Sequence, residues 1–599
     1  MAEELEYYDT NIPCLAACPV HTNAGMYVAA IADGDDELAY LTARLPNPFA
    51  SVCGRVCAAP CEDACRRGAI DRPIAIRALK RFVTEQFGPE RGHSDAWERV
   101  AAPPTVELPQ SIGIVGGGPA GMACAHDLRR LGYQVTVYEA TDKLGGAMWL
   151  GIPEYRLDRA VLAADIDAIV GLGVKVRYET RLGVDVTLSQ LMQQHDAVFL
   201  GIGATLGRGL DIPGADADGV FKAIEFLINM NRGFSVDVGE RVVVIGGGDV
   251  AMDAARTALR ASDYQAGESQ EFPEPESEIA ADQRSAMTEA IDVARSAARA
   301  GARMVTVISL ESREEMPAHD FEVEEAEHEG IRFVARRGPA HVIVEEGRVA
   351  GIETIGVTSV FDAEGRFSPT FDDTDRKAYD ADTVILAIGQ AIDLEALGAD
   401  GPDVSPRRTI QVDHDTGRTT MARVWSGGDA AKGPRTLIDA IADGRRSAAD
   451  IHQALGGSHT EPEKGTFVKL RQFHRLDDDY DGVDRLSVPT LDTGRRIGLA
   501  EVELGFTEQQ ARCEAARCLR CFANIILDVD KCVLCALCAD VCPVDVISLV
   551  PSEELDPSAV GGTALLLDEE RCIRCALCIE RCPPDALSMG LWKGVGVPA

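Results

Sequence analysis

The central part of the chain alternates short apolar runs with amphipathic segments, a pattern typical of α/β domains. The apolar runs are rich in β-branched residues, which predicts buried strands of parallel sheets. These runs lie at 111–115, 134–138, 241–245, 304–309 and 381–388. Helical patterns follow the first run as far as Arg130 and the third at 251–260. The pattern therefore predicts a multidomain α/β fold.

Three polar segments interrupt this pattern and predict the joints between domains. Residues 88–109 contain four prolines and mixed charge, which predicts a linker into the first strand. Residues 261–290 are rich in Glu, Asp, Ser and Pro and predict an acidic surface insertion, followed by a helix near 285–300. Residues 456–498 form a polar connector before the last cysteine-rich block.

Length and composition place the chain among multidomain globular proteins. At roughly 100–200 residues per domain, 599 residues predict three to five domains. Hydrophobic residues make up 46%, charged residues 26%, and the mean hydropathy is −0.04. These values exclude a wholly disordered or membrane-embedded chain.

The charge of the chain limits its partners. A net charge of −37, from 96 acidic and 59 basic residues, disfavours nucleic acid and anionic lipid. The longest stretch without a charged residue, 11–32, contains two prolines and resembles neither a signal peptide nor a membrane span. We therefore expect a cytoplasmic protein without membrane insertion, in which cysteines bind metals or act in catalysis rather than form disulfides.

The 18 cysteines are concentrated at the two ends, six between Cys14 and Cys65 and eleven between Cys513 and Cys582. Four cysteines spaced 2-2-3 and followed by proline begin at Cys532, and the motif recurs 40 residues later. This is the bacterial ferredoxin motif, in which the fourth cysteine serves the other cluster. A zinc site, the alternative, usually has paired C-x-x-C motifs instead. The crossed pairing predicts two 4Fe–4S clusters, one on Cys532, Cys535, Cys538 and Cys582 and one on Cys542, Cys572, Cys575 and Cys578.

The first glycine-rich loop, 116–121, follows a predicted strand and precedes a predicted helix. Such a G-x-G-x-x-G turn brings a pyrophosphate against the N-terminus of a helix. Glu139 ends the next strand, 23 residues after the first glycine, where an acid binds the adenosine ribose. The loop therefore predicts a dinucleotide site.

The second loop, 246–251, repeats this logic. Without the acidic insertion, Glu311 falls at the position of the ribose-binding acid. A carboxylate there accepts from a free 2′-hydroxyl and repels a 2′-phosphate, which favours NAD(H) over NADP(H). Two alternatives stay open, because Glu311 can also be a solvated strand-end residue and Arg313 can serve a phosphate.

Two nucleotide loops in one chain are typical of a flavoprotein that exchanges hydride with a nicotinamide. The strand at 381–388 leads to Gly389, and a later Gly427-Gly428-Asp429 turn precedes a helix expected near Pro434. The chain is thus expected to return to the first nucleotide-binding domain, which would place Asp429 near the flavin ribityl or phosphate group. The predicted nucleotide-binding residues are Gly116, Gly118, Pro119, Ala120, Gly121, Glu139, Gly145, Gly146, Gly246, Gly248, Asp249, Val250, Ala251, Glu311, Arg313, Gly389, Gly428 and Asp429.

These motifs together resemble the flavin-containing small (β) subunit of glutamate synthase. They also resemble its relatives, the electron-input half of dihydropyrimidine dehydrogenase and the large subunit of NADH-dependent ferredoxin:NADP oxidoreductase. The resemblance covers roughly 10–455, and the tail 523–599 is similar to a bacterial ferredoxin with two 4Fe–4S clusters. The matching stretches are 47–49, 54–65, 116–121, 151–157, 246–251, 312–318, 427–429 and 440–445.

The resemblance implies a helical N-terminal domain with two 4Fe–4S clusters, FAD at the first loop and NAD(P)H at the second. The family's opening C-x-x-C is absent before Cys14, and a similar element appears only at Cys518 and Cys521. We therefore expect the segment 510–522 to fold back onto the N-terminal domain. Seven cysteines would then serve its clusters, namely Cys14, Cys18, Cys57, Cys61, Cys65, Cys518 and Cys521.

The eighth ligand is the second departure from the family. Relatives supply Gln or Glu at the position that falls on Lys80 here, and a protonated lysine cannot bind iron. Cys53 is the available substitute; the alternative is that Cys53 is a buried apolar residue and only one N-terminal cluster exists. The third departure is Glu311, since NADPH-using relatives carry paired arginines there. Cys124 and Cys513 are expected to be structural.

The expected domains are a helical iron–sulfur domain (1–105), FAD-binding parts (106–235 and 389–455), an NAD(P)-binding domain (236–388), a returning linker (456–522) and a ferredoxin-like domain (523–599). NADH would reduce FAD, and the clusters would carry single electrons to ferredoxin or to another subunit of a 2-oxoacid oxidoreductase-type complex. No acid–base residue is assigned, because hydride transfer needs none. The alternatives are a glutamate synthase β subunit using NADPH and a non-catalytic electron-transfer or assembly subunit.

Overall fold

The computed structural model describes residues 10–92, 95–234, 236–261, 302–399, 401–457, 466–469, 482–496 and 498–593. Apart from residue 261, the predicted insertion at 261–290 and the helix near 285–300 lie outside these residues. The predicted connector, 456–498, is described in part. Within the described ranges, no helix is long and apolar enough to span a bilayer.

The N-terminal domain is a bundle of short helices packed around alanine, isoleucine and aromatic side chains. Asn23 and Asp35 each begin a helix by accepting a backbone N–H hydrogen bond in its first turn. Gly34, with φ of 84°, ends the first of these two helices in the left-handed conformation. The α-helices are Pro13–Ala16, Ala24–Asp33, Asp36–Arg44, Ala50–Val56, Pro60–Asp63, Ile76–Phe87 and Asp95–Ala101, with 3₁₀ turns at Arg66–Ala69 and Pro89–Arg91.

The expected linker, 88–109, contains the helix Asp95–Ala101, so this part of the prediction is wrong. Trp97 and Val100 on that helix are buried in the core of the N-terminal domain. Apolar side chains three residues apart lie on one helix face, and their burial stabilises the helix despite the polar composition around it.

The first α/β domain is built on a five-stranded parallel sheet. In spatial order its strands are Val424–Ser426, Ala197–Leu200, Ser111–Val115, Gln134–Tyr138 and Lys175–Arg177. The predicted strands at 111–115 and 134–138 are confirmed with their bounds. Its helices are Pro119–Arg130, Ala147–Leu150, Arg159–Gly171, Leu188–Gln194, Asp429–Lys432 and Leu437–Ala454. The expected late helix therefore begins three residues after Pro434.

The second α/β domain repeats this architecture. Its parallel strands are, in spatial order, Val220–Lys222, Thr383–Leu386, Arg241–Ile245, Met304–Ile308 and Arg332–Val334. Its helices are Ala223–Asn231, Asp249–Leu259 and Asp320–His328, with a 3₁₀ turn at Arg313–Glu315. The strand predicted at 381–388 is confirmed in a shorter form, and the helix predicted at 251–260 begins two residues earlier.

Two antiparallel elements accompany these domains: a meander inserted between two strands of the second domain, and a ladder formed by the two segments that connect the domains. A three-stranded meander consists of Arg337–Glu345, Arg348–Phe361 and Phe367–Asp380, and its last strand is largely exposed. A two-stranded ladder pairs Leu206–Gly207 with Gln390–Ala391, and a 3₁₀ turn follows at Glu395–Leu397. The chain thus leaves the first domain and returns to it through neighbouring strands, which complete the two-part arrangement expected from the sequence.

The C-terminal domain has the α+β architecture of a ferredoxin. Ala523–Leu527 pairs with Leu587–Lys593, and Ile547–Pro551 pairs with Thr563–Leu567. A strand from the connector, Thr466–Lys469, extends the first pair. Its short helices are Leu537–Asp540, Ser552–Leu555 and Leu577–Glu580.

One late helix, Glu508–Ala516, packs within the N-terminal domain. Glu514 on this helix is fully buried and accepts hydrogen bonds from the backbone N–H groups of Ala75 and Leu486, both at 2.9 Å. The same carboxylate pairs with Arg517 at 2.7 Å. These contacts anchor the segment before the ferredoxin-like domain to the opposite end of the chain.

Candidate functional site

The first glycine loop needs glycine for close packing of its own backbone. Gly116 has φ of 96°, and a Cβ there would lie 2.3 Å from the carbonyl oxygen of Gly201. A Cβ on Gly121 would lie 2.0 Å from the carbonyl oxygen of Gly116. Any larger residue would push the helix away from the neighbouring strand ends.

Gly118 and Gly248 occupy equivalent positions in the two loops, and both face open space. A Cβ on Gly118 would approach only Gly146, at 3.8 Å, and one on Gly248 only Pro317, at 4.0 Å. Each glycine is the N-cap of a helix and has no side chain to satisfy the free N–H groups of the first turn. The open space therefore fits a pyrophosphate, which these N–H groups would bind.

Glu139 lies beside the first loop in the position of a ribose-binding acid. Its Oε2 accepts a hydrogen bond from the N–H of Gly117 at 2.8 Å. Its Oε1 accepts from both the backbone N–H and the hydroxyl of Thr141, at 2.8 and 2.9 Å. The side chain is 7% exposed, so these bonds fix the carboxylate at the end of its strand.

Glu311 has the equivalent place beside the second loop. A Cβ on Gly247 would lie 2.9 Å from Glu311 Oε2, much as a Cβ on Gly117 would lie 3.0 Å from Glu139 Oε2. Burial raises the pKa of Glu311. Gly246, with φ of 143°, packs against Ala387 as closely as Gly116 packs against Gly201. The two loops are therefore built alike.

Arg313 pairs with acidic residues outside the cleft. Its guanidinium pairs with Asp320 at 3.0 Å and with Glu327 at 4.0 Å, and the side chain is 33% exposed. The residue does not line the cleft beside the second loop. The sequence offered Glu311 and Arg313 as residues that could bind the ribose or its phosphate. Of these two, only Glu311 lines the cleft.

A cleft of about 1010 Å³ connects the two glycine loops. Pro119 of the first loop, Gly248 of the second, Glu311 and Asp429 all line it, and Cys57 of the N-terminal domain forms part of its wall. Its volume reaches the upper end of the usual range for ligand pockets. Both nucleotide positions and one cysteine therefore open into the same space.

The other predicted nucleotide-binding residues lie along this cleft or directly under it. Asp249, Val250 and Gly389 line it. Ala120 and Ala251 are buried in the helices that follow the loops. The N–H of Gly145 donates to the carbonyl of Gly117 at 2.8 Å, and that of Gly428 donates to Asp443 at 3.2 Å.

Asp249 has a partner that sequence reasoning missed. Its Oδ1 accepts from the backbone N–H of His319 at 2.9 Å, and its Oδ2 lies 2.7 Å from Nδ1 of the same residue. The hydrogen bond to Asp249 is the main cause that raises the pKa of His319. His319 also lines the cleft, so the second loop has a titratable imidazole at its edge.

Asp429 lies in an acidic and basic cluster at the other side of the cleft. Burial raises the pKa of Asp429 to about 6, although the backbone N–H of Arg435 donates to it at 3.2 Å. The guanidinium of Arg435 binds Asp443 at 2.8 Å, and Lys432 binds the same carboxylate at 2.8 Å. Arg446 binds it too, at 2.6 Å, so three cations neutralise Asp443, whereas Asp429 remains available to a ligand.

Four cysteines of the N-terminal domain lie close enough to Lys80 for their charges to act on it. This group, called the cleft site, consists of Cys18, Cys53, Cys57 and Cys61. A hydrogen bond with Cys57 raises the pKa of Cys53 and, in return, lowers that of Cys57 to about 6. Lys80 is 6% exposed. Burial lowers the pKa of Lys80, but the charges of these four thiols outweigh it and leave the pKa raised.

A second cavity is lined by Cys14, Cys65, Cys518 and Cys521, called the junction site. Burial, followed by the charges of the other three thiols, raises the pKa of Cys14 well above its usual value. Because two cysteines come from each end of the chain, the returning segment is what completes this four-thiol group. Sequence reasoning placed these seven N-terminal candidates and Cys53 near one another without dividing them between two sites.

The C-terminal domain has two such cavities. One is lined by Cys542, Cys572, Cys575 and Cys578, called the inner site. The other is lined by Cys532, Cys535, Cys538 and Cys582, called the outer site. Each set combines three cysteines of one motif with the fourth of the other, which is the crossed grouping expected from the spacing.

The backbone of the ferredoxin-like domain repeats along with its cysteines. Leu534 and Ala536 have φ of 53° and 63°, and their counterparts 40 residues later, Arg574 and Ala576, have φ of 58° and 64°. Left-handed residues within each C-x-x-C-x-x-C loop turn the chain tightly around the cavity. Four thiols around such a cavity are the donor set of a 4Fe–4S cluster. Among the described residues, no three His, Cys, Asp or Glu side chains are grouped closely enough to hold a single metal ion.

Shared hydrophobic cores connect the four sites. The cleft site includes Cys57, which lines the nucleotide cleft, and the junction site lies in the same helical domain. The strand Ala523–Leu527 begins two residues after Cys521. Ile525 at its centre lines the inner site, and Leu527 at its end lines the outer site.

The outer site reaches the surface. Cys535 is exposed, and the neighbouring Val533 is 67% exposed. One hydrophobic core joins Cys578 of the inner site and Cys538 of the outer site to Ile12 of the N-terminal domain. Of the two remaining cysteines, Cys124 is buried in the helix Pro119–Arg130 and Cys513 is exposed on the returning helix.

Comparison with known families divides the chain in the same way. The family described as pyridine nucleotide-disulphide oxidoreductase matches residues 110–444. Dihydropyrimidine dehydrogenase domain II, 4Fe–4S cluster, matches residues 8–91. A 4Fe–4S dicluster domain matches residues 531–586. The combination of helical iron–sulfur, two nucleotide-binding and ferredoxin-like domains expected from the sequence is thereby confirmed.

Three relatives illustrate the kinds of protein that share this arrangement. The NADP(+)-dependent formate dehydrogenase subunit beta of Moorella thermoacetica is 36% identical over 543 residues, covering 85% of this chain and 70% of the relative. The NADPH-Fe(3+) oxidoreductase subunit beta of Geobacter sulfurreducens is 34% identical over 563 residues, covering 85% and 75%. The glutamate synthase (NADPH) small chain of Azospirillum brasilense is 29% identical over 454 residues, covering 73% and 85%.

Proposed function

The chain belongs to the pyridine nucleotide-disulphide oxidoreductase family, and from that membership we propose that it is the NAD(P)H-linked electron-transfer subunit of a larger redox complex. In this proposal FAD binds at the first loop, NAD(H) binds at the second, and electrons pass between NAD(H) and the ferredoxin-type clusters of a partner. The partner is a ferredoxin or a subunit of a 2-oxoacid oxidoreductase-type complex. The succession of four four-thiol sites from the cleft to an exposed surface carries the proposal.

Bound FAD would supply the change from hydride transfer to single-electron transfer that one-electron 4Fe–4S clusters require. The chain itself would bind and orient the two nucleotides. Gly118 and Gly248 leave room for the two pyrophosphates at helix N-termini. Cys57 in the wall of the cleft brings the first four-thiol site next to the nucleotides.

The domain limits proposed from the sequence separate the parts that would bind clusters from the parts that would bind nucleotides. The helical domain (1–105) and the end of the returning segment (456–522) would hold the cleft and junction clusters. The two FAD-binding parts (106–235 and 389–455) and the NAD(P)-binding domain (236–388) would hold the nucleotides. The domain 523–599 would hold the inner and outer clusters, giving four in total.

Relatives that are named as beta subunits support a place in a multi-subunit assembly. The same names contain NADP, which favours NADP(H) as a second candidate nucleotide. The geometry of Glu311 supports NAD(H), because its carboxylate stands beside Gly247 where a 2′-phosphate would have to fit.

The choice of nucleotide can be tested at Glu311. We expect Glu311→Arg to raise kcat/KM for NADPH and lower it for NADH, shifting their ratio by about tenfold or more, since each charged contact contributes about 1.5–3 kcal/mol. Steady-state kinetics with both nucleotides measures the ratio. An Arg313→Ala variant is the matched control, because Arg313 pairs with Asp320 outside the cleft. An unchanged ratio in Glu311→Arg would contradict the assignment.

The electron path is tested by anaerobic titration of the purified chain with NADH. We expect loss of the flavin absorbance together with loss of iron–sulfur absorbance, because the cleft site adjoins the nucleotides. Loss of flavin absorbance alone would disprove the path. If neither changes with NADH or NADPH, the chain is a non-catalytic electron-transfer or assembly subunit instead.

Iron and sulfide analysis of the same sample tests the number of clusters. Four 4Fe–4S clusters require about 16 iron atoms per chain, whereas about 12 would remove one of the N-terminal clusters. The glutamate synthase alternative, favoured by the 29% identical small chain, predicts glutamine-dependent oxidation of NADPH once a large subunit is added.

A further inference from the structure

Lys80 is a charged residue on the buried face of the helix Ile76–Phe87. Its side chain is 6% exposed, and its ammonium group lies 5.8 Å from the centre of the Tyr27 ring. In the described part of the chain, no carboxylate lies within salt-bridge distance of Lys80. A buried cation without a counter-ion costs several kcal/mol, so the fold must offer a negative group that is not a carboxylate.

The other charges near the cleft site are already compensated. Arg77 on the same helix pairs with Glu503 at 2.6 Å. Glu62, which follows Cys61, pairs with Arg485 at 2.7 Å. Lys80 is therefore the charge that acts on the four thiols without an acidic partner of its own.

The donor set beside Lys80 provides the missing negative charge. A 4Fe–4S core bound by four thiolates has a net charge of about −2 when oxidised and about −3 when reduced by one electron. A neighbouring cation stabilises the more negative state more strongly, which raises the reduction potential. Burial increases this effect because solvent screening is weak there.

We propose that Lys80 is a positioning residue that raises the reduction potential of the cluster bound by Cys18, Cys53, Cys57 and Cys61. This inference rests on the proposed function, since it requires a cluster at the cleft site. In this proposal, Lys80 stabilises the reduced state of the cluster that adjoins the nucleotide cleft. That cluster would therefore be the first to accept an electron from the flavin.

The test is an EPR-monitored redox titration of the full chain, purified without oxygen, in the wild type and in Lys80→Leu. Loss of the charge should make one centre at least tenfold harder to reduce, which for a one-electron couple is about 59 mV. Lys80→Arg keeps the charge and should stay within threefold of the wild type.

Lys531→Leu is the matched control. Lys531 directly precedes Cys532 of the outer site, but its side chain is 54% exposed and pairs with Asp528 at 2.7 Å. Water and Asp528 screen its charge, so its removal should shift no centre by more than threefold. If Lys531→Leu shifted a reduction potential as much as Lys80→Leu does, nearness of the lysine to a cysteine would be sufficient. That result would overturn the role of burial in the proposal.

Iron content separates failure of this inference from failure of the proposed function. A wild type with about 12 iron atoms lacks a cluster, and the four-cluster proposal itself then fails. A Lys80→Leu protein with the wild-type iron content and unchanged potentials overturns the inference alone. If Lys80→Leu loses iron, Lys80→Met, which fills the space of the lysine, replaces it in the titration. Loss of iron from both neutral variants, with retention in Lys80→Arg, assigns Lys80 to cluster assembly and overturns its role in setting the potential.

Discussion

At the scale of single residues, Glu139 and Glu311 occupy equivalent positions beside the two glycine loops. Glu139 and Glu311 could be predicted from the sequence, because the distance from a glycine loop to the next strand end is short and regular. His319 could not be predicted in this way, since its partner Asp249 lies 70 residues earlier and only the fold brings them to 2.7 Å. Contacts of this kind depend on tertiary packing rather than on local spacing.

His319 leads to a prediction about pH. Its raised pKa keeps the imidazole protonated above its ordinary value of 6.5, which places a positive charge at the edge of the second loop. The charge is fully present below pH 6.5 and is lost as the pH rises through the raised pKa. KM for the nicotinamide nucleotide should therefore increase about fivefold over that rise, which corresponds to about 1 kcal/mol.

Steady-state kinetics across this pH range measures the effect. In His319→Gln, KM should be higher at low pH and should no longer change with pH, whereas kcat should change little. His328→Gln is a suitable control, because His328 is 68% exposed on the helix that follows. A pH-dependent KM in His319→Gln would show that another group is responsible.

At the scale of the element, the helix Glu508–Ala516 comes late in the chain but packs in the core of the N-terminal domain. The resemblance of Cys518 and Cys521 to a displaced family motif predicts that this segment returns to the N-terminal domain. The means of attachment is not visible in the sequence, because Glu514 binds the backbone of Ala75, which is 439 residues away. A buried carboxylate can be recognised only once its partners are known.

Glu514 therefore provides a prediction at this scale. Glu514→Ala would remove one of the two acids of the buried Arg517, which would keep only Asp71, and would leave the N–H groups of Ala75 and Leu486 without their acceptor. It should therefore destabilise the N-terminal domain by about 3–5 kcal/mol. Chemical denaturation followed by circular dichroism measures this change, and about four iron atoms should be lost with the junction site. Glu508→Ala on the same helix is the control: Glu508 is 75% exposed, and its loss should cost about 0.5 kcal/mol or less. Equal effects of the two substitutions would contradict the anchoring role of Glu514.

At the scale of the whole molecule, the sequence could predict which domains are present but not how the four-thiol sites follow one another. The ferredoxin motifs give the crossed pairing because their spacing is local and strict. The order of the sites depends on contacts such as those of Ile525 with the inner site and Leu527 with the outer site. No pattern of spacing contains that information.

This order can be tested with two cysteine variants. In Cys578→Ser, which removes a thiol of the inner site, NAD(P)H should no longer reduce the outer cluster, although dithionite still does. In Cys535→Ser, NAD(P)H should still reduce the inner cluster, and transfer to an external acceptor should fall at least tenfold. EPR of the reduced samples and acceptor assays distinguish the two, and Cys513→Ser should behave as the wild type. Reduction of the outer cluster in Cys578→Ser would contradict the order.

The junction site has a consequence for how the protein is made. Cys14 and Cys65 leave the ribosome more than 450 residues before Cys518 and Cys521. At 5–20 residues per second, that interval lasts roughly 20–90 s. If the junction site holds the proposed cluster, the first pair of thiols would have to stay reduced until the second pair arrives. Iron would then be inserted at this site only into a chain whose synthesis has passed residue 521.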